Sequence, residues 1–165
     1  LIYSEAKLWI EGTTSQKVTV VAADVTSPTG SFDPDIILND NIAYTATDGS
    51  VGLTAIAEQS VLIGMNVPTN MSIKGVFIAQ KGNYGRNLYD CDYAPYDIRA
   101  SLTTNGTVVS KNITGTQWGL DWCSSGTSGF QARSDYYDRL LAFSPPPFTP
   151  SASADYKLSL WREKI

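Results

Sequence analysis

The chain has 165 residues, 42% of them apolar and 17% charged, with a net charge of −4 and no histidine. That length suits one domain with a real core. Scattered Lys and Arg in an acidic chain exclude the basic stripe that nucleic acid or an anionic membrane surface requires, and the missing imidazole removes Ser–His–Asp, Cys–His and His-ligated metal chemistry.

Five runs share one cadence, in which an apolar alternation, a Gly, Asn or acidic break and a second alternation follow one another. The first is Leu8-Trp9-Ile10-Glu11-Gly12 leading to Val18-Thr19-Val20-Val21. The others are Ile36 to Tyr44, Leu53 to Ile63, Met71 to Ala79 and Leu102 to Val109. Val, Ile, Thr and Tyr at period two predict strands. The continuous runs Val18 to Ala23 and Val76 to Ala79 predict strands buried on both faces, as in a stacked parallel array. Gly12, Asp40, Gly75 and Gly106 are predicted corners, because Gly and Asn accept backbone that other residues resist. Longer excursions are expected at 27–35, 45–52, 64–70 and 82–99.

Segment 115–134 is Gly- and Ser-rich with two Trp residues and reads as a long loop, pinned through Cys123. Ser134 to Phe143 is the best helical candidate, with Tyr137, Leu140, Leu141 and Phe143 on a partial face. Pro145-Pro146-Pro147 and Pro150 make 144–154 an extended crossover. Residues 155–165 alternate again and are expected to form a closing strand along one flank of the solenoid. A repeat array buries each unit against its neighbours and needs its ends covered.

Cys91 and Cys123 are the only cysteines. Both sit in Tyr-, Trp- and Gly-rich segments, and a bridge is preferred over two exposed thiols. It would close a loop of about 30 residues and contribute ~3–4 kcal/mol in the chain-entropy model. Their spacing fits no zinc pattern.

Paired carboxylates raise the question of acid–base chemistry. Asp33 and Asp35 flank Pro34, and Asp90 and Asp92 flank Cys91, but turn chemistry explains these residues better than catalysis. Asn39-Asp40-Asn41 and Thr47-Asp48-Gly49-Ser50 offer oxygen ligands yet match neither the twelve-residue calcium loop nor the glycine-rich nonapeptide. Gly82-Asn83-Tyr84-Gly85-Arg86-Asn87 lacks the context of a dinucleotide loop and reads as a turn. No catalytic residue, cofactor or metal is expected. Tyr84, Tyr89, Tyr93 and Tyr96, with Trp118 and Trp122, form a candidate binding surface for sugar rings or protein partners; large side chains plugging loops are the competing reading. Sequons occur at Asn70, Asn105 and Asn112.

The stretches Leu8 to Gly12 with Lys17 to Ala22, Met71 to Gly82, and Pro145 to Pro150 with Tyr156 to Glu163 resemble the β-solenoid ectodomains of type IV pilus-associated, pilus-assembly-like secreted proteins of bacteria. The resemblance implies an extracellular structural or adhesive role and no catalytic residues. Members usually carry an amino-terminal membrane or prepilin-like helix.

The expected fold is all-β, a single-domain right-handed parallel β-helix over 1–165 with about five or six coils. A β-sandwich or jelly roll is the alternative. The expected function is a noncatalytic structural or adhesion module, extracellular or at the cell surface. Its partners would be other surface or pilus proteins, or glycans, and not nucleic acid. Membrane contact would come only through a segment absent from this chain, since no stretch reaches the roughly 18 apolar residues of a spanning helix. The opening Leu1-Ile2-Tyr3 reads as a strand, so the chain is expected to be a mature fragment or trimmed ectodomain. The enzymatic alternative is a polysaccharide lyase or hydrolase using an Asp cluster. An ice- or surface-binding Thr ladder ranks third, because the Thr residues do not recur at one coil position.

Overall fold

The structure, a computed structural model, describes residues 1–26 and 34–150. It is all-β, 52% strand and 6% helix, with parallel strands stacked into a β-solenoid of about 4 turns. One sheet contains β1 (Ile2–Ser4), β3 (Lys17–Ala22), β5 (Gly52–Ala57), β7 (Asn70–Ala79), β9 (Ile98–Ser110), β12 (Thr127–Tyr136) and β11 (Gln117–Gly119), in that spatial order. The other runs β10 (Thr114–Gly115), β8 (Tyr84–Arg86), β6 (Val61–Ile63), β4 (Ile36–Tyr44) and β2 (Leu8–Thr14). All described pairings are parallel except β11 with β12. That pattern excludes the sandwich alternative, whose neighbouring strands run antiparallel.

Each turn places one strand in each sheet, as in β2 with β3 and β4 with β5. The inward side chains therefore fall into columns. Leu8, Ile36, Val61 and Tyr84 are in register across one sheet, and Val20, Ala55, Phe77 and Val108 across the other. The columns meet in one core, in which Ile36, Val61, Ala55, Phe77 and Tyr84 are wholly buried. Stacking turn on turn supplies ladder bonds to the interior strands while removing apolar area from water, at about 25 cal/mol per Å².

The turns number about 4, fewer than the five or six expected. The cadence counts runs, and three of the five are single strands, Ile36–Tyr44 being β4 itself. Met71–Ala79 and Leu102–Val109 each lie within one long strand, β7 or β9, interrupted by Gly75 at φ 153° and Gly106 at φ 145°. The corner glycines thus turn the backbone without ending the strand. Around Asp40, β4 carries two residues more than β2, so the register shifts between Ile10 and Gly12. There the Asp40 carboxylate accepts from Asn41 N at 2.6 Å, and Asn41 Oδ1 accepts from Ser72 N at 2.7 Å.

Three further expectations are corrected. The helix α1 spans only Arg139–Phe143, while Ser134 to Tyr136 continue β12. Their pairing with Thr103, Thr104 and Asn105 of β9 outweighs the weak helical spacing. Asp138 caps the helix by accepting from Leu140 N at 2.9 Å, whereas Asp135 pairs with Arg133 at 2.7 Å. The long loop of 115–134 shrinks to 120–126, because β11 and β12 take up its Gly- and Ser-rich flanks.

Within its described residues, 144–150, the proline segment straps one outer face instead of covering an end. Leu141 is buried, and a Cβ on Gly52 would lie 2.6 Å from its Cδ2. Thr19 donates to the Pro147 carbonyl, and the Thr54 and Thr149 hydroxyls lie 2.6 Å apart. This cover explains why Thr19 and Thr54 are fully buried although they point outward. The rest of the crossover, 151–154, and the expected closing strand, 155–165, lie outside the described residues, as does Asp33.

Candidate binding trough and aromatic loop

The six aromatics of the candidate surface separate into three places. Tyr84 is not on the surface. It alternates with Gly85 in β8, faces the core and packs 6.1 Å from Phe77. Burial pushes its phenol up to about 12, with the Thr104 hydroxyl and Arg133 offsetting this in part. Thr104 is near enough to soften the shift but not placed to hydrogen-bond, and among the described residues both hydroxyls lack a partner. Tyr84→Phe is therefore expected to leave stability at neutral pH unchanged or improved by up to about 1 kcal/mol. A free phenol ionises near pH 10, so the unfolded chain gains on the folded one between pH 10 and about 12. Denaturant titrations should show wild type losing about 2–3 kcal/mol more than Tyr84→Phe across that window.

Tyr89, Tyr93 and Tyr96 lie on the loop between β8 and β9, whose buried arginines, Arg86 and Arg99, stand against Tyr89 and Tyr96. Tyr89 and Tyr93 meet edge to face at 5.7 Å. The Arg86 guanidinium stands 4.8 Å over Tyr89, and Arg99 stands 5.4 Å over Tyr96. Arg86 is 1% exposed and donates to the carbonyls of Gly64, Met65 (2.9 Å) and Tyr96 (2.6 Å). Arg99 donates to Pro95 and Ile98 and shares the Met65 carbonyl at 3.2 Å. Burial, then the neighbouring Arg99, pushes Arg86 down to about 10, so it remains cationic at neutral pH.

The same loop is tied to 120–126 by the Cys91–Cys123 disulfide, with a Cα–Cα distance of 5.9 Å and a sequence separation of 32 residues. Ser128, fully buried, adds hydrogen bonds to the Tyr89 and Asp97 carbonyls. Trp122 stands out from this bridged loop, 67% exposed. Replacing both cysteines by serine should cost about 3–4 kcal/mol in the chain-entropy picture, read from denaturant unfolding. A loss below about 1 kcal/mol would mean that the arginine and Ser128 contacts hold the loop without the bridge.

Trp118 belongs to a third place, the outer face of the five-stranded sheet. There the outward column runs Leu62, Gly85, Gly115. The two glycines leave bare backbone, and the ladder requires it: a Cβ on Gly85 would sit 1.9 Å from the Gly115 carbonyl oxygen. The result is a trough of about 840 Å³. Trp118 walls it, its six-membered ring over Gly115 and its indole N–H donated to the Arg86 carbonyl at 3.0 Å. Asn83, Asn87, Lys111 and Asn112 supply the polar lining. Ile113 and Leu88 flank it, 81% and 45% exposed.

Sequence reasoning reads Gly82 to Asn87 as a turn and misses this floor. The available signal is register: Gly85 and Gly115 fall on the outward beat of their strands, where Leu62 lies one turn earlier.

Among the acidic residues weighed for catalysis, Asp35, Asp48 and Asp90 serve local structure. Asp35 accepts from Ser60 N at 3.1 Å and pairs with Lys7 at 3.2 Å. Asp48 accepts from Ser50 N at 3.0 Å and from its hydroxyl, which together hold its carboxyl below the usual range. Asp90 caps the 3₁₀ turn Cys91–Tyr93 by accepting from Asp92 N. Among the described residues no group of three or more His, Cys, Asp or Glu is placed to hold a metal ion. Comparison with protein-family models, curated proteins and solved structures finds no match to this chain.

Proposed function

We propose that the chain is a noncatalytic structural and adhesion module displayed extracellularly, on a pilus or another cell-surface structure. The observation that carries this reading is a rigid stack of turns with a contact surface already formed on its flank. The trough floor is ladder backbone, its aromatic wall is hydrogen-bonded in place, and the adjoining loop is held by a disulfide. Rigid aromatic contact area binds with little ordering cost. A disulfide suits the oxidising conditions outside the cytoplasm. Asp35, Asp40 and Asp48 are occupied in corners and turns, which favours this reading over a carboxylate-driven glycan lyase or hydrolase.

The reading is tested by coupling the oxidised protein to beads and measuring retention on intact bacterial and host cell surfaces, alongside incubation with pectin and alginate. Saturable retention without release of shortened or unsaturated polymer is expected. Polymer cleavage, or retention no greater than that of unfolded protein, would overturn it.

A further inference from the structure

The geometry points to a saccharide subsite in the Trp118 trough. It takes a short run of pyranose rings, with one ring's C–H face on the indole and its hydroxyls on the Asn83, Asn87 and Asn112 amides. The inference rests on the adhesion reading and names the chemistry of its partner.

A sugar ring is amphiphilic in a particular way, with an apolar C–H face and a rim of hydroxyls. The trough is built in the same two parts. Its floor and wall are Leu62, two glycines and an indole, and its polar groups are mostly amides. An amide offers both donor and acceptor, so one Asn can bridge adjacent hydroxyls. Ligand pockets of several hundred Å³, mostly apolar with a few placed polar groups, have this composition.

Two of these groups are set before any ligand arrives. The Trp118 indole is held by the Arg86 carbonyl at 3.0 Å, and the Asn112 amide donates to the Lys81 carbonyl at 3.1 Å. Preorganisation lowers the ordering cost of binding. The depth is fixed as well, because the Gly85–Gly115 contact leaves no room for a side chain.

Charge narrows the ligand further. The chain carries 16 Asp and Glu and a net charge of −4, yet among the described residues no carboxylate lines the trough. The Arg86 guanidinium is turned inward to backbone carbonyls, so Lys111 is the charged side chain presented here. An uncharged hexose chain and one bearing uronic carboxylates share the ring chemistry, and Lys111 is the group that would tell them apart. A nucleic acid would need far more positive charge. A purely apolar lipid or peptide segment would leave the amides without partners.

Asn112 also heads the sequon Asn112-Ile113-Thr114, and an N-glycan there would sit in the trough. The test therefore uses oxidised protein from a host that does not N-glycosylate. It is titrated by calorimetry and amide NMR with neutral β-linked oligosaccharides and, separately, with oligouronates. At least one class should bind, with shifts at Gly85, Asn87 and Gly115. Trp118→Ala should weaken binding about tenfold or more, and Asn87→Ala about fivefold. Trp122→Ala, outside the trough, should change nothing. Lys111→Ala should weaken oligouronates and spare neutral sugars. Asn87 is exposed, so its variant stays informative if Trp118→Ala unfolds. The subsite is refuted if neither class binds at millimolar concentration, or if Asn87→Ala and Trp118→Ala bind as wild type does. Beads that still adhere to enzymatically deglycosylated cells would sink the subsite and leave the adhesion reading standing. Sugar binding without any cell retention would do the reverse.

Discussion

Gly106→Ala is expected to unfold the middle of the solenoid. Gly106 stacks on Gly75 in the β7–β9 ladder. Its φ of 145° is one that L residues rarely adopt, and an added Cβ would lie 1.8 Å from the Gly75 carbonyl oxygen and 2.8 Å from its carbon. No rotamer relieves that clash, because both partners are backbone. Either β7 and β9 separate, losing part of a ten-residue register, or the corner rebuilds. We expect a loss above about 3 kcal/mol, combining backbone strain with broken ladder bonds. Two other glycines calibrate it. Gly12 has φ 99° but nothing within 4 Å of the place a methyl group would take, so Gly12→Ala should cost only about 1–2 kcal/mol of strain. Gly119 has neither constraint, and Gly119→Ala should be close to neutral. Denaturant unfolding of the three variants reads the order directly. Equal effects would mean that the stacked corner is not under the contact described.

Arg86→Met is expected to be comparably severe for a different reason. Methionine fills much of the space but donates nothing. The carbonyls of Gly64, Met65 and Tyr96 would lose a charged donor inside the fold. The rings of Tyr89 and Phe130 would lose the cation 4.8 and 5.7 Å from their centroids. Replacing a whole buried polar cluster with apolar groups can be harmless, but removing one partner strands the others. The expected loss is about 3–5 kcal/mol. Arg86→Lys keeps the charge but cannot fork to three carbonyls, and should recover less than half of the loss. The Arg86 carbonyl also holds the Trp118 indole, so both variants should alter tryptophan emission before global unfolding. A loss below about 1 kcal/mol for Arg86→Met would show that backbone dipoles do not stabilise this guanidinium.

The strands are legible in the sequence because period-two apolar spacing is a local property. Val18 to Ala22, Leu53 to Ala57 and Val76 to Ala79 all form strands whose inward residues are buried or half-buried. The glycine corners are legible for the same reason, since backbone freedom belongs to the residue. The number of turns is not, because it depends on whether a break ends a strand or bends it. Gly75 and Gly106 bend theirs, which only stacking against neighbours determines. Some of the shortest strands escape notice too. Tyr84–Arg86 and Thr114–Gly115 are too brief to show a period, and they become strands because the sheet beneath them supplies a template. The trough stays out of view with those strands. Its wall residue, Trp118, stands out for its chemistry, whereas Tyr84 groups with it by composition and yet points into the core. The disulfide is readable from composition. The buried arginines have no local signature, because the carbonyls that hold Arg86 come from residues 64, 65 and 96.

The most direct measurement is an NMR map of interstrand contacts in the oxidised protein. Stacked parallel turns predict one row of contacts joining Val20 to Ala55, Ala55 to Phe77 and Phe77 to Val108. A second row should join Leu62 to Gly85 and Gly85 to Gly115 beneath Trp118. Contacts pairing residues 53–57 with 61–63 in antiparallel register would contradict the solenoid and remove the trough with it.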